Sequence, residues 1–158
     1  MSEREIMEYD VVIVGAGPAG LACAIRLKQL KDELNVCVIE KAAEIGGPVL
    51  SGAVIEPEPL DALIDGWRDD PPPICVPAKK DQFLYLSKTG KRKLPTPPQQ
   101  KNHGNFIVSL GAMCAWLAPK AEALGVDLLP GFAAADLAYN DRDEIQGVII
   151  GDMGVDRE

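Results

Sequence analysis

"VVIVGAGPAG", residues 11–20, joins a run of aliphatic side chains to three glycines at the spacing G-x-G-x-x-G. The four apolar residues before the glycines are typical of a short parallel strand that is buried on both faces. The good helix formers that follow, Pro18 to Leu30, predict a helix that begins at the glycines. A second apolar run, Val36 to Ile39, predicts another buried strand. Strand, glycine turn, helix and strand within about 30 residues form one βαβ unit of an α/β fold.

The three glycines have different expected roles in such a unit. Gly15 permits the tight turn, Gly17 lets the backbone approach a diphosphate, and Gly20 lets the helix pack closely on the strand. The unpaired N–H groups and the positive dipole end at the helix start then attract the negative oxygens. The motif therefore predicts a dinucleotide site between the first strand and the first helix.

Glu40 strengthens this prediction because of its position. It ends the second predicted strand, 20 residues after Gly20, where a carboxylate can accept both ribose hydroxyls of an adenosine. A carboxylate there repels a 2′-phosphate, so NADP is disfavoured. The residues alone leave FAD and NAD open, as well as a solvated role for Glu40.

The rest of the chain predicts loops, further strands and one more long helix. Residues 46–60 and the proline-rich stretch after them are expected to be loops, and this stretch carries one hairpin, Gln82 to Leu86 with Lys91 to Leu94. Residues 110–124 predict an amphipathic helix ended by Gly125, and Pro119 inside it predicts a kink or two shorter helices. A third parallel strand is expected at residues 126–129. An antiparallel pair is expected at residues 132–139 and 145–150.

Composition excludes several classes of protein. The 158 residues carry a net charge of −8, and the largest basic cluster is Lys91-Arg92-Lys93, so a nucleic-acid partner is not expected. The four cysteines are scattered without a C-x-x-C pair, which argues against a zinc or thiol redox site. The N-terminus lacks a secretory signal pattern, and no segment reaches about 18 consecutive apolar residues. We therefore expect a protein of the reducing cytoplasm without a membrane span in these residues.

The stretch from Tyr9 to Gly47 resembles the FAD-binding segment of the glutathione-reductase-like flavoproteins, in which the acid is followed by a Gly-Gly pair, here Gly46-Gly47. Four more stretches resemble the electron transfer flavoprotein–ubiquinone oxidoreductases (electron-transferring-flavoprotein dehydrogenases): "VLSGAVIEP", "NHGNFIVSLG", "WLAPKAEALGVDLLPGFAAADLAY" and "GVIIGDMGV". The chain departs from that family at Pro48, where a histidine is usual, and at Pro119, where an acidic residue is usual.

The resemblance implies a Rossmann-like FAD-binding domain of the glutathione-reductase type, with a βαβ core, a parallel sheet and an antiparallel insertion or meander. Residues 1–158 would form its N-terminal part, incomplete at the C-terminus, with a Pro-rich insertion at about 57–105. Family members are longer and carry a 4Fe-4S cluster, whose ligands are expected downstream of this chain. The fragment alone is expected to be inactive.

The resemblance also implies a function and a place in the cell. The intact enzyme would pass electrons from reduced electron transfer flavoprotein to ubiquinone in the respiratory chain. It would be peripheral on the inner face of the bacterial cytoplasmic membrane, or on the mitochondrial inner membrane in a eukaryote, through regions absent here.

No residue of this chain is expected to act as a catalytic acid, base or nucleophile, and none as a metal ligand. The cofactor-binding residues expected from the motif and the resemblance are Gly15, Gly17, Pro18, Ala19, Gly20, Glu40, Lys41, Gly47, Ser51, Gly52 and Ala53. Ser51, or a backbone amide beside it, would donate a hydrogen bond to the flavin ring, although Ser-Gly also favours a plain turn. His103, the only histidine, is expected to be a structural loop residue rather than a proton-transfer group.

Two other hypotheses remain open at this point. One is a different FAD-dependent oxidoreductase of the same superfamily, similar to the geranylgeranyl reductases or the hydroxylases, without the cluster. The other is a stand-alone dinucleotide-binding module without redox turnover.

Overall fold

The structure is a computed structural model that describes residues 6–151. Two ends of the chain lie outside the described residues, including residues 152–155 of the "GVIIGDMGV" stretch. The first six elements are β1 (Val11–Val14), α1 (Pro18–Leu30), β2 (Val36–Glu40), β3 (Gly52–Ile55), α2 (Pro57–Leu63) and β4 (Cys75–Pro77). The others are β5 (Phe83–Leu86), β6 (Lys91–Leu94), β7 (Phe106–Ser109), α3 (Leu110–Ala123), β8 (Val126–Pro130), β9 (Ala134–Tyr139) and β10 (Ile145–Ile150). A 3-10 turn lies at Pro98–Gln100.

A parallel sheet with the order β1-β2-β8 forms the centre of the fold. Helices α1 and α3 pack against each other and against this sheet. The core between them consists of fully buried aliphatic side chains, among them Leu21, Ile25, Val38 and Leu117. The predicted α/β class, the βαβ unit and the third parallel strand are therefore confirmed.

Strand β1 differs from the prediction that both of its faces are buried. Its side chains alternate, and Val12 and Val14 are 38% and 60% exposed. Within the described residues β1 lies at the edge of the sheet and pairs with β2 alone. Strand β2 lies between two strands and its first four residues are all buried. The position of a strand in its sheet, which the apolar run does not encode, makes this difference.

The expectation of a loop over residues 46–60 is wrong in its second half. Strand β3 pairs with β7, which also pairs with β4, and the three form an antiparallel sheet. Helix α2 begins at Pro57 and also contains Pro59. Both prolines occupy the first helical turn, where backbone N–H groups have no partner within the helix and their absence costs little. These prolines therefore mark the start of a helix rather than a loop.

Helix α3 is one helix, not two, although it contains Pro119. Proline removes the hydrogen bond to the carbonyl four residues earlier, which belongs to Ala115. Both Ala115 and Pro119 are exposed, so water can reach this carbonyl and the helix continues. The Ser109 hydroxyl accepts a hydrogen bond from the Ala112 amide at the start of the helix. Gly125 follows its end with a φ of +80°.

The two predicted hairpins are confirmed with small shifts of their ends. Strands β5 and β6 pair from Phe83 with Leu94 to Leu86 with Lys91. Strands β9 and β10 pair antiparallel, and β9 begins at Ala134 rather than at residue 132. In the part of the chain that the structure describes, no helix is long and apolar enough to cross a membrane.

Lys28 is a charged residue that the sequence does not single out and that the fold buries. Its side chain lies between α1 and the turn that follows this helix, and only 9% of the residue is exposed. The Lys28 ammonium group donates hydrogen bonds to the carbonyl oxygens of Leu34, at 3.0 Å, and Asp32. It therefore ties the end of α1 to the turn that leads into β2.

Replacing Lys28 by methionine is expected to lower the free energy of unfolding by about 1–3 kcal/mol, because two partly buried carbonyls lose a charged donor. The matched control is Lys31→Met, since the Lys31 side chain is exposed and lies 3.6 Å from the exposed Glu33. This control is expected to change stability by less than about 0.5 kcal/mol. Chemical denaturation of both variants measures the difference, and equal losses would contradict the role of Lys28.

Candidate dinucleotide site

The turn between β1 and α1 uses a backbone conformation that favours glycine. Gly15 has a φ of +99°, and its amide donates a hydrogen bond to the Ile39 carbonyl at 2.8 Å. Gly17 is the N-cap of α1, and Pro18 occupies the first helical position. Proline lacks an N–H there at no cost, while the following amides of the first turn have no acceptors within the helix. The N-terminus of α1 therefore lies beside the end of β1.

Gly17 and Gly20 face different surroundings. A Cβ atom on Gly20 would lie 2.0 Å from the Gly15 carbonyl oxygen, which is closer than any real contact. A Cβ atom on Gly17 would meet no protein atom within 4 Å. Gly20 is therefore required by the packing of α1 on the turn, whereas Gly17 borders open space in front of the helix.

The Glu40 carboxylate is held beside this turn by two backbone amides. One oxygen accepts a hydrogen bond from the Ala16 N–H at 2.9 Å, and the other accepts from the Ala42 N–H at 2.9 Å. Each carboxylate oxygen can accept a further hydrogen bond. The half-buried Glu40 is thus fixed in orientation and retains acceptor capacity for hydroxyl groups of a ligand.

A cavity of about 190 Å³ lies next to Glu40, at the edge where the parallel strands end. Its wall combines the ends of β1 and β2 with the segment after β8, and consists of Val14, Gly15, Ile39, Glu40, Lys41, Phe132, Ala133 and Ala134. Open α/β sheets bind their ligands at the carboxyl ends of the strands. The apolar wall and the single carboxylate suit the flat base and the hydroxyl-bearing sugar of an adenosine.

The loop from Lys41 to Leu50 packs against the start of α3, where Gly46 meets Gly111. Gly46 has a φ of +86°, and a Cβ atom on it would lie 2.2 Å from the Gly111 carbonyl oxygen. Gly47 is exposed, and its amide donates to the Glu44 carbonyl at 3.2 Å. The first glycine of the pair is needed for this close contact, and the second lies on the outer side of the loop.

Ser51, Gly52 and Ala53 lie apart from the cavity beside Glu40. Ser51 is exposed and precedes β3, and its carbonyl accepts a hydrogen bond from the Leu110 amide at 3.4 Å. Gly52 and Ala53 belong to β3 and pair with the last residues of β7. The fold therefore brings Gly15, Glu40 and Lys41 together around one cavity and leaves the Ser51–Ala53 stretch at a second location.

A larger cavity of about 820 Å³ lies between α1, β3, α2 and α3. Its wall is largely aliphatic, with Leu60, Leu63, Met113 and Leu117 among its residues. The polar groups that a dinucleotide requires lie instead at the smaller cavity beside the glycine turn.

The histidine and the two buried cysteines have no neighbours in the described part of the chain that would make them reactive groups. His103 is exposed in a turn that the Asn105 amide closes by donating to the Asn102 carbonyl at 2.9 Å. Cys37 and Cys114 are buried, and burial raises the pKa of both thiols, so they stay protonated near neutral pH. Within residues 6–151 no cluster of His, Cys, Asp or Glu side chains is able to hold a metal ion.

Sequence reasoning missed the segment after β8 and the two amides that hold Glu40. Gly131, which directly follows β8, donates its amide to the Ala42 carbonyl at 2.7 Å and so joins the loops that follow β2 and β8. A signal was present, because parallel strands end at one edge of a sheet and the residues after the third strand must lie beside Glu40. The amide contacts of Ala16 and Ala42 have no side-chain signature in the sequence.

Comparison with known proteins supports the family resemblance over nearly the whole chain. Residues 2–57 match the Thi4 family. The chain is 50% identical over 98% of its length to a protein of Oryza sativa subsp. japonica named electron transfer flavoprotein-ubiquinone oxidoreductase, mitochondrial. It is 47% identical over 99% of its length to a Pseudomonas aeruginosa protein named electron transfer flavoprotein-ubiquinone oxidoreductase. It spans only 27% and 30% of these two relatives. The resemblance predicted from the sequence is confirmed for this part of their length.

Solved structures share the fold at low sequence identity. A geranylgeranyl bacteriochlorophyll reductase-like protein from Thermoplasma acidophilum superposes with a TM-score of 0.64 at 21% identity, over 90% of this chain and 34% of its own. The flavin-dependent monooxygenase PieE, solved in complex with FAD and substrate, gives a TM-score of 0.66 at 14% identity over 94% of this chain and 30% of its own. The Rossmann-like fold predicted from the sequence is therefore confirmed.

Alanine at Gly20 is expected to lower stability, whereas alanine at Gly17 is not. Gly20→Ala forces a methyl group against the Gly15 carbonyl and is expected to cost at least about 1 kcal/mol of unfolding free energy. Gly17→Ala is expected to leave stability nearly unchanged, because Gly17 has a φ of −76° and its Cβ direction is open. Thermal melting of the ligand-free variants measures both effects, and a loss of stability in Gly17→Ala would contradict the open space.

Proposed function

We propose that this chain is the FAD-binding part of an enzyme that passes electrons from reduced electron transfer flavoprotein to ubiquinone. The observation that carries the proposal is the identity of 43–50% to relatives of that name from a plant, an animal and a bacterium, over 98–99% of this chain. Because the chain spans about a quarter to a third of those relatives, the activity belongs to the longer protein and not to these residues alone.

The geometry of the glycine turn supports FAD as the ligand. The space beside Gly17 and the free amides of the first turn of α1 fit a diphosphate. The cavity beside Glu40 fits the adenosine, with its ribose hydroxyls donating to the carboxylate oxygens that Ala16 and Ala42 hold in place. Lys41 lies in the wall of the same cavity. Pro18 and Ala19 belong to the first turn of α1, and Pro18 also lines the larger aliphatic cavity.

The flavin ring is assigned to the region of Ser51, Gly52 and Ala53, and Gly47 lies in the loop between this region and Glu40. Ser51 is exposed, so its hydroxyl is available as a donor. The separation of these residues from the adenosine cavity agrees with the extended shape of FAD, whose two ends lie far apart.

When bound, the FAD supplies a group that exchanges either one or two electrons. This suits a protein between a flavoprotein donor and a quinone acceptor. The chain's own residues bind and orient the cofactor, and we assign none of them to proton transfer. The 4Fe-4S cluster, the quinone site and the membrane contact are assigned to the parts of the longer protein outside this chain.

The location follows from the same proposal. Relatives from rice and rat carry the word mitochondrial in their names. We place the intact protein at the membrane that holds the ubiquinone pool, which is the cytoplasmic membrane, on its inner face, in a bacterium and the mitochondrial inner membrane in a eukaryote.

A second candidate is another FAD-dependent oxidoreductase of the same fold, because a geranylgeranyl reductase-like protein and a monooxygenase superpose well on this chain. Their identities of 21% and 14% support a common fold, whereas the identities to the quinone oxidoreductases are more than twice as high. A stand-alone nucleotide-binding module without redox turnover is the third candidate.

Replacing Glu40 by glutamine is expected to raise the dissociation constant for FAD by roughly 10- to 100-fold, because hydrogen bonds to a charged group contribute about 1.5–3 kcal/mol. Glutamine keeps one oxygen acceptor but presents an NH₂ group to the second amide and to the ribose. Titration of the intact apoprotein with FAD, followed by quenching of flavin fluorescence, measures the change.

The matched control for this substitution is Glu44→Gln, an exposed position four residues further along the chain. The control is expected to bind FAD as the wild type does. Equal affinity of Glu40→Gln and the wild type would contradict the assignment of the adenosine to this cavity.

The proposed activity is tested with the intact, FAD-loaded protein. Reduced electron transfer flavoprotein is expected to support reduction of a short-chain ubiquinone, and reduced nicotinamide cofactors are not expected to do so. Absorbance of the quinone follows the reaction. Turnover with a nicotinamide donor and none with the flavoprotein would favour the reductase or hydroxylase candidate, and no redox turnover with bound FAD would favour the binding module.

A further inference from the structure

One segment of the chain projects from the body of the fold, and we name residues 82–101 the arm. It leaves the antiparallel sheet after β4 and returns to it before β7. Its two strands, β5 and β6, form a separate two-stranded sheet and, among residues 6–151, pair only with each other. An isolated hairpin of this size is marginally stable in water, so its attachment to the body matters.

The base of the arm is closed by two residues, Asp81 and Asn102, that flank it. One Asp81 carboxylate oxygen accepts the Asn102 backbone N–H at 2.8 Å, and the other accepts the Asn102 side-chain amide at 2.9 Å. The same side-chain amide also donates to the Gln100 carbonyl at 3.2 Å. A single asparagine thus engages both oxygens of one carboxylate across 21 positions of sequence.

The hydrogen bonds between β4 and β7 extend beyond the ends of these strands towards the Asp81 and Asn102 pair. The Ala78 amide donates to the Asn105 carbonyl at 2.8 Å, one step beyond the pair formed by Pro77 and Phe106 at the ends of β4 and β7. The Asn105 amide donates in turn to the Asn102 carbonyl at 2.9 Å. The Asp81 and Asn102 pair therefore continues this series of hydrogen bonds up to the point where the arm begins.

Asp81 is ionised under ordinary conditions. The hydrogen bond from the Asn102 backbone lowers the pKa of the Asp81 carboxyl, and the Asn102 side-chain amide and nearby His103 lower it further. Both contacts to Asn102 are consequently charge-assisted hydrogen bonds, which are stronger than bonds between neutral groups.

The surface of the arm differs from that of the rest of the chain. It has five basic residues and no acidic residue, whereas the whole chain has a net charge of −8. Large apolar side chains lie exposed between these charges, with Tyr85 at 64% and Leu86 at 70% exposure. Across the hairpin Leu86 pairs with Lys91 and Tyr85 with Arg92, so both faces combine an apolar with a cationic side chain.

We propose that the hydrogen-bonded pair of Asp81 and Asn102 is a clamp that fixes the direction of the arm relative to the body. Opening the clamp frees the arm to move as a unit while the core around α1, α3 and the parallel sheet stays folded. The core does not depend on the arm, because none of the buried core residues belongs to residues 82–101. A fixed arm presents its surface in one orientation, and a binding element ordered in advance loses less entropy on association.

The test measures the orientation of the arm by double electron–electron resonance in the intact protein. One spin label is placed on the natural exposed Cys23 of α1 and the other on Thr89→Cys at the tip of the hairpin. The background carries Cys75→Ser, since Cys75 is only partly buried. The protein with the clamp intact is expected to give one narrow distance distribution.

Asp81→Asn is expected to lose the narrow peak and give a broad distribution, with an unchanged melting temperature of the core. Asn102→Ser removes only the side-chain amide and is expected to broaden the distribution less, so it tests the clamp even if Asp81→Asn fails to fold. Asp65→Asn, an exposed position outside the arm, is the control and is expected to keep the narrow peak. A broad distribution with the clamp intact, or a narrow one in Asn102→Ser equal to that of the control, would overturn the proposal.

Discussion

The close approach of α1 to the turn that precedes it is the constraint on which the candidate site depends. Gly20 lies against the Gly15 carbonyl with no room for a methyl group, so the start of the helix is held at the end of β1. Gly17, the N-cap of this helix, borders open space, and the amides of the first turn have no acceptors within the helix. One steric condition therefore holds the start of the helix at the end of β1, next to the open space at Gly17 where we propose that the diphosphate binds.

Two carboxylates organise separate parts of the chain by the same physical means. Glu40 accepts two backbone amides and joins the glycine turn to the loop after β2. Asp81 accepts two N–H groups of Asn102 and closes the base of the arm. In each case two hydrogen bonds restrain the rotation of one carboxylate. The remaining acceptor capacity of Glu40 lies beside a cavity, so this carboxylate supports the candidate binding site. Asp81 lies at the base of the arm, so its two hydrogen bonds support the junction between the arm and the body.

The sequence predicted the elements whose signal is local. The glycine spacing identified the turn, and the helix from Pro18 to Leu30 and the hairpin of β5 and β6 followed from composition and turn residues. Prediction failed where the secondary structure or the burial of a residue depends on partners that are distant in the sequence. Residues 52–55 were expected to be a loop because the sequence did not reveal that β3 has a partner in β7, about fifty residues later. Val12 and Val14 were expected to be buried because an apolar run does not reveal whether its strand is central.

The sequence by itself determined the α/β class, the glycine turn with Glu40 beyond it, and the family resemblance, because these depend on residue types at short fixed spacings. Only the tertiary structure decided which residues share a cavity. It brought Phe132 and its neighbours to Glu40, separated the Ser51–Ala53 stretch from them, and joined Asp81 to Asn102. The physical reason is that contacts between residues far apart in the chain depend on strand order and loop paths, which no short stretch of sequence encodes.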